Sequence, residues 1–285
     1  MEVICNESLK KYTTIKIGGI AKRLYIPEST DELIELINKL NSSKLYIISG
    51  GSNLLINDEK VFEEVISLKK MDDSIKKLNN GRYYVGASVR LQKLINFINC
   101  DGYGGIEYLY SLPALVGGSI AMNAGRGRAY NLCISDYLEE VYVYDYENHI
   151  SKVMKKEECQ FEYRNSIFKK SKLIIVGAIF NFDIMNKEET KKLKRERIEL
   201  VKKFQDSSGY NFGSVFRKYN KYIMQIIRVI NFGNKNGVRF SKKTSNWIIN
   251  NGDGSYKQVC VLIDKVIKIH RILKKDILLE VVRWD

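Results

Sequence analysis

The stretch Leu112–Gly125, L-P-A-L-V-G-G-S-I-A-M-N-A-G, constrains this chain more than any other. It holds one of the two prolines, then Gly117 and Gly118, and ends on an Asn-Ala-Gly step. Glycines at 117, 118 and 125 open backbone conformations closed to other residues, or let a second body approach the main chain closely. So many in fourteen residues exceed what a surface turn needs. The segment is therefore read as wrapping a phosphate-bearing ligand.

Its partner is Gly50-Gly51-Ser52-Asn53-Leu54, which follows a short apolar strand read at Lys44–Ser49. Consecutive main-chain N–H groups in such a turn form an anion-binding nest without any charged side chain. Alone the turn is a weak signal; a second glycine cluster gives it weight.

Composition narrows the class. The 285 residues suffice for two or three lobes with a full core, and 45% apolar with 28% charged residues is ordinary for a globular protein. No apolar run reaches the roughly 20 residues of a membrane helix, and the start Met1-Glu-Val-Ile-Cys lacks a secretory pattern, so a cytoplasmic protein without membrane insertion is expected. The five cysteines, without a C-x-x-C pair, read as buried free thiols, and two histidines cannot build a histidine-rich metal centre; no metal is expected. His270 falls in a helical pattern as a packing or surface residue. The net charge of +14 fits a polyanionic small ligand, and no nucleic-acid-binding motif accompanies it.

Periodicity supplies the frame. Residues 12–19 read as a strand entering a Gly-Gly turn, Ala21–Pro27 as a second strand, and Ser29 caps a helix beginning near Asp31. A helix at Leu91–Asn99 follows short strands, and Val141–Asp145 and Leu173–Asp183 are strands. Lys187–Phe204 is a charged helix, Trp247–Ile249 a strand, Tyr256–Ile272 a long helix and Ile277–Trp284 a closing strand. Between the strands, Phe161-Glu-Tyr-Arg-Asn-Ser166 places Tyr163 and Arg164 in a loop. That arginine could stabilise an oxyanion or enolate, or form a structural ion pair. Ser214, between Gly213 and the basic Arg217-Lys218, could donate a proton or bind phosphate; with no histidine nearby, hydrolase chemistry is disfavoured. Lys202 ends the charged helix, where it could meet a diphosphate.

Together these strings resemble the MurB family, the UDP-N-acetylenolpyruvoylglucosamine reductases. The resemblance is colinear from about Thr13 to Arg283 through T-T-I-K-I-G-G, G-G-S-N-L-L, G-G-I-E-Y-L, P-A-L-V-G-G-S-I-A-M-N-A-G, E-Y-R-N-S, G-S-V-F-R-K and S-N-W-I-I-N, in the family's shorter form. It implies an α+β fold: a two-lobed, PCMH-type FAD-binding body over residues 1–186 (lobes about 1–70 and 71–186) and a C-terminal substrate lobe over 187–285. It implies non-covalent FAD, NADPH as co-substrate and a UDP-N-acetylglucosamine enolpyruvate substrate in peptidoglycan precursor synthesis, with a monomer expected. In that reaction NADPH reduces the flavin and leaves, the flavin passes hydride to the enolpyruvyl C3, and a serine protonates C2 to give UDP-N-acetylmuramate.

Residue by residue, the resemblance casts Ser214 as the general acid and Arg164 as the enolate-stabilising arginine. Gly50, Gly51, Ser52, Asn53 and Leu54, with Pro113, Ala114, Leu115, Val116, Gly117 and Gly118, match the FAD pyrophosphate segments. Asn123, Ala124 and Gly125 match the loop along the flavin. Tyr163, Lys202, Arg217, Lys218 and Asn246 are cast as substrate-binding. There are departures: Ala114 and Leu115 replace a glycine and a hydroxyl residue, Lys218 an asparagine, and Thr244 a histidine. The family's terminal acid falls on Glu280, or on Val281 if the end is aligned strictly; Glu280 is preferred. A catalytically altered or inactive FAD- or UDP-sugar-binding relative is the alternative reading.

Overall fold

A computed structural model describes residues 1–40, 45–125, 131–230 and 237–285; Lys44, read above as opening a strand, lies outside them. The chain begins with β1 (Glu2–Ser8), a 3-10 turn at Leu9–Tyr12, β2 (Ile20–Ile26) and α1 (Thr30–Lys39). Next come β3 (Tyr46–Ile48), β4 (Leu54–Ile56), β5 (Val61–Ser67), β6 (Ile75–Lys77) and β7 (Arg82–Gly86). Helix α2 (Leu91–Cys100), β8 (Tyr103–Gly104) and α3 (Val116–Ala121) precede β9 (Leu138–Asp145), β10 (Ile150–Lys155), β11 (Leu173–Asn181) and β12 (Asp183–Ile184). The last part holds α4 (Lys187–Phe204), β13 (Phe216–Lys218), α5 (Lys221–Val229), β14 (Val238–Phe240), β15 (Ile248–Asn250), α6 (Tyr256–Ile272), β16 (Leu278–Leu279) and β17 (Val282–Trp284).

The chain divides into two compact units: Met1–Val3, Tyr25–Gly50 and Val65–Glu199 in one, Ile4–Leu24, Gly51–Glu64 and Leu200–Asp285 in the other. The first is built on a five-stranded antiparallel sheet of order β10-β9-β11-β7-β6. Alternation along β9 and β7 sends Val141, Val143, Tyr83 and Val85 into a core shared with α2 and α3. Apolar spacing at 91, 94, 95 and 98 puts one face of α2 into that core. A second cluster packs Leu33, Leu36 and Ile37 of α1 on Ile66, Tyr144 and Ile174. Helix α1 starts where Ser29 accepts the Glu32 N–H at 3.1 Å, the cap expected from the sequence.

In the second unit β4 pairs in parallel with β17, β13 antiparallel with β16, and β14 antiparallel with β15. Helices α5 and α6 pack Ile223, Met224, Ile227, Val259, Leu262, Ile263 and Val266 around them. Ser255 and Gln258 form a reciprocal capping box at the start of α6.

Several expectations change. Residues 13–19 are irregular rather than a strand: Lys16 takes a left-handed φ of 59°, and the Thr13 hydroxyl donates to Ile17 O at 2.9 Å, curling the chain while Ile15 and Ile17 stay buried. The closing strand breaks into β16 and β17 around Glu280-Val281. Of the cysteines, which are free, Cys159 is buried, but Cys5 and Cys100 are exposed. His270 is fully buried; its Nε2 accepts the Asn220 N–H at 3.1 Å, so Nδ1 carries the proton toward Val266 O. No group of acidic, histidine or cysteine side chains among the described residues could hold a metal ion. Among them too, no helix is long and apolar enough to cross a membrane.

Candidate functional site

In the first unit Gly50 meets the second glycine segment. A Cβ built on Gly50 would stand 3.4 Å from Leu115 N and 3.5 Å from Ala114 Cα, so the end of β3 runs against Pro113–Leu115. Helix α3 is drawn close to the sheet because the Gly117 N–H donates to Ala87 O at 2.9 Å, and a Cβ there would come within 3.0 Å of the Ala87 methyl. A side chain there would force its neighbour to give by a few tenths of an ångström. At the departures from the family pattern the main chain is tied into the fold: Ala114 O accepts the Leu91 N–H, and Leu115 O accepts from Ser119 N and Oγ, with the Leu115 side chain buried.

Beside these loops lies a cavity of about 260 Å³. Ser49, Gly117 and Gly118 form one side, and Leu45, Ile47, Tyr146, Phe168 and Ile174 make it apolar elsewhere. Ser171 lines the same cavity, and its buried Oγ has no hydrogen-bond partner. A buried hydroxyl left without a partner is costly, and a ligand with polar edges would remove that cost. In sequence Ser49 is only the last residue of a strand, and its place just before Gly50 is the signal that marks it as cavity-lining.

The E-Y-R-N-S loop docks on the other glycine segment. Glu162 and Asn165 exchange main-chain hydrogen bonds at 3.0 and 3.2 Å, leaving Tyr163 and Arg164 at the tip of a tight turn. Three contacts fasten this turn. Arg164 Nη2 donates to Gly125 O at 2.8 Å, Asn123 Nδ2 to Glu162 O at 2.9 Å, and Ser166 Oγ to Ala121 O at 2.6 Å. Arg164 sits at φ 55° and Asn123 at φ 42°, uncommon values that these contacts hold in place. The Asn123 Oδ1 is buried with no hydrogen-bond partner. Beside this turn, burial and then Asp136 push the Cys133 thiol up, against the pull of Arg164. It is thus kept protonated at neutral pH, a poor nucleophile for covalent attachment of a cofactor.

In the second unit Ser214 is half-buried, and Gly213 before it has a φ of 77°. The strand leaving Ser214 is held from two sides. The Val215 N–H donates to Asn246 O at 3.0 Å, and Val215 O accepts the Glu280 N–H at 2.8 Å. Asn246, expected to face substrate, is 4% exposed and spends its side chain on Phe216: Oδ1 accepts Phe216 N–H at 3.0 Å and Nδ2 donates to Phe216 O at 2.8 Å. Glu280 is half-buried, whereas Val281 is buried in the core. Asn53 Nδ2 donates to Glu280 O at 3.0 Å.

The basic candidates differ. Arg217 is half-buried, with a buried Nε that has no hydrogen-bond partner. Lys218 Nζ pairs with the exposed Asp276 at 2.6 Å. Lys202 is exposed near the end of α4, where its carbonyl accepts Lys243 Nζ at 3.2 Å. Thr244, the replacement for a family histidine, donates through Oγ1 to Phe204 O.

Comparison with known proteins agrees with this geometry. The FAD binding domain family model matches residues 21–153. A UDP-N-acetylenolpyruvoylglucosamine reductase of Prochlorococcus marinus subsp. pastoris is 35% identical over 96% of this chain and 93% of its own length. The enzyme of that name from Caldanaerobacter subterraneus is 31% identical over 93% of this chain and 87% of its own. The crystal structure of the MurB reductase from Thermus caldophilus superposes with a TM-score of 0.81 at 25% identity, covering 100% of this chain and 98% of that one. The chain belongs to the UDP-N-acetylenolpyruvoylglucosamine reductase family.

Proposed function

We propose that this protein is the FAD- and NADPH-dependent reductase that converts UDP-N-acetyl-3-O-(1-carboxyvinyl)-glucosamine to UDP-N-acetylmuramate in peptidoglycan precursor synthesis, acting in the cytoplasm as a monomer. The observation that carries the reading beyond family membership is the pair of strands in the second unit. Val215 O accepts the Glu280 N–H, so the residue after Ser214 and the terminal acid share one hydrogen-bonded frame. Glu280 is the acid that this reading assigns; it is half-buried beside Val281, which packs in the core.

The described residues fit FAD. The Gly117 and Gly118 approach, the apolar cavity with its unsatisfied Ser171 hydroxyl, and the unsatisfied Asn123 carbonyl oxygen suit a planar, polar-edged dinucleotide. By the family resemblance, Gly50 to Leu54 and Pro113 to Gly118 would hold its pyrophosphate, and Asn123 to Gly125 would lie along its ring. FAD, when bound, supplies the two-electron chemistry that carries reducing equivalents from NADPH to the enolpyruvyl double bond.

The protein's own residues handle charge and protons. Ser214 gives its hydroxyl proton to C2 of the substrate, and the positive field of Arg217 favours the resulting alkoxide. Arg164 contributes a permanent positive charge toward the developing enolate, and Glu280 is assigned to assist that stabilisation. Lys218 is a weaker candidate for the diphosphate than Arg217, since Asp276 already offsets its charge. Lys202 and Tyr163 contribute to substrate binding, while Asn246 acts by fixing the Phe216 main chain.

Purification tests this directly. The protein is expected to carry or take up FAD with a flavin absorbance, and to consume NADPH steadily only when the enolpyruvyl substrate is added. Bound FAD without substrate-dependent turnover would refute the reductase assignment.

A further inference from the structure

Helix α5 is apolar on two faces. Inward it buries Ile223, Met224 and Ile227. Outward it shows Tyr222 at 75%, Ile226 at 60%, Val229 at 75% and Ile230 at 58% exposure, spaced i, i+4, i+7 and i+8. That spacing is a continuous stripe along one side of a helix, not a scatter of single apolar residues.

The surroundings of the stripe are basic. At its N-terminal end, Asn220 meets His270 at 3.1 Å, placing Lys221 beside the end of α6 with Lys268, Arg271, Lys274 and Lys275. Ile272 and Leu273 are themselves 68% and 51% exposed there. Asp276 in this region is already paired with Lys218. At the other end Arg228 donates to the carbonyls of Lys242 and Lys243. From Leu200 to Asp285 there are seventeen Lys and Arg against six Asp and Glu, a net +11 of the chain's +14.

Those two features select what can cover the stripe. A second copy of the chain in an isologous contact would bring these lysines against themselves. A neutral apolar partner would leave the charge unused. An anionic lipid surface meets both, taking the apolar side chains among its acyl chains and the flanking lysines among its headgroups.

We propose that the α5 stripe, Tyr222, Ile226, Val229 and Ile230, is a peripheral docking surface for an anionic bilayer. The helix lies in the plane of the interface without crossing it. The proposal does not depend on the chemistry assigned above.

The test is co-sedimentation of the full-length holoenzyme with vesicles of pure phosphatidylcholine and of phosphatidylcholine with phosphatidylglycerol in equal parts. Binding to the anionic vesicles alone, weakening as salt is raised, is expected. The double variant Ile226→Ser, Val229→Ser should partition at least about tenfold more weakly, with unchanged flavin content and NADPH oxidation. Equal or absent binding to the two vesicle types, or a double variant that binds like the wild type, would overturn the proposal. So would concentration-dependent self-association abolished by the same variant, or binding to polyglutamate but not to vesicles; either would assign the stripe to a protein.

Discussion

Asn53 grips the chain on both sides of Glu280: its Nδ2 donates to Glu280 O at 3.0 Å, and its own carbonyl accepts the Val282 N–H at 3.0 Å. The residue cast as a cofactor contact is therefore also the one that fixes the main chain of the proposed acid. The parallel pairing of Val282 with Leu54 and Arg283 with Leu55 extends the same frame.

Asn53→Ala removes one hydrogen bond to that carbonyl, worth about 1 kcal/mol, so kcat is expected to fall about five- to tenfold. Steady-state kinetics with the KM for substrate measured separately checks this. Glu280→Gln in the Asn53→Ala background should add little, since the carboxyl would already be misplaced.

Asn246 makes a different prediction. Its two side-chain bonds satisfy both main-chain groups of the buried Phe216, so Asn246→Ala strands two buried polar groups. A loss of about 2 to 4 kcal/mol of unfolding free energy is expected in urea. A side chain whose role is to touch substrate would instead raise KM with stability unchanged.

Much of this architecture is legible in the chain. The Ser29 cap, the apolar period of α2 and α6, and the strands at β9 and β11 follow from local pattern, because each decision involves residues within one or two turns. The bend at Lys16, the break at Glu280-Val281 and the strand β1 do not, since distant partners decide them. Glu280 stops pairing with β13 and turns where Val215 O and Asn53 capture it. The glycine loops and the Tyr163-Arg164 turn announce a ligand site in sequence, and their docking through Gly125 and Ala121 appears only in three dimensions. Asn53 and Asn246 show the limit most sharply: an asparagine in a motif looks the same whether it holds a ligand or the protein's own backbone.

Asp206 supplies a pH dependence. Burial works to raise its carboxyl, but hydrogen bonds from Ser208, then Ser241, and the charge of Arg239 hold it well below the ordinary carboxylate range. Its folded value is thus depressed. The stability it contributes is complete above its unfolded value of about 3.9 and is lost as pH falls from there toward the folded value. Unfolding free energy should drop on acidification below about pH 4, and Asp206→Asn should flatten that drop while destabilising the protein at neutral pH. Urea melts of both proteins across the acid range check it.

In this mechanism Ser214, and not only the cofactor, completes the reduction by delivering a proton. Stopped-flow absorbance of Ser214→Ala separates the two half-reactions. In this variant NADPH is expected to bleach the bound flavin at the wild-type rate, while reoxidation by the enolpyruvyl substrate slows by about a hundredfold or more, the range for loss of a positioned general acid. Equal slowing of both half-reactions, or reoxidation at the wild-type rate, would contradict it.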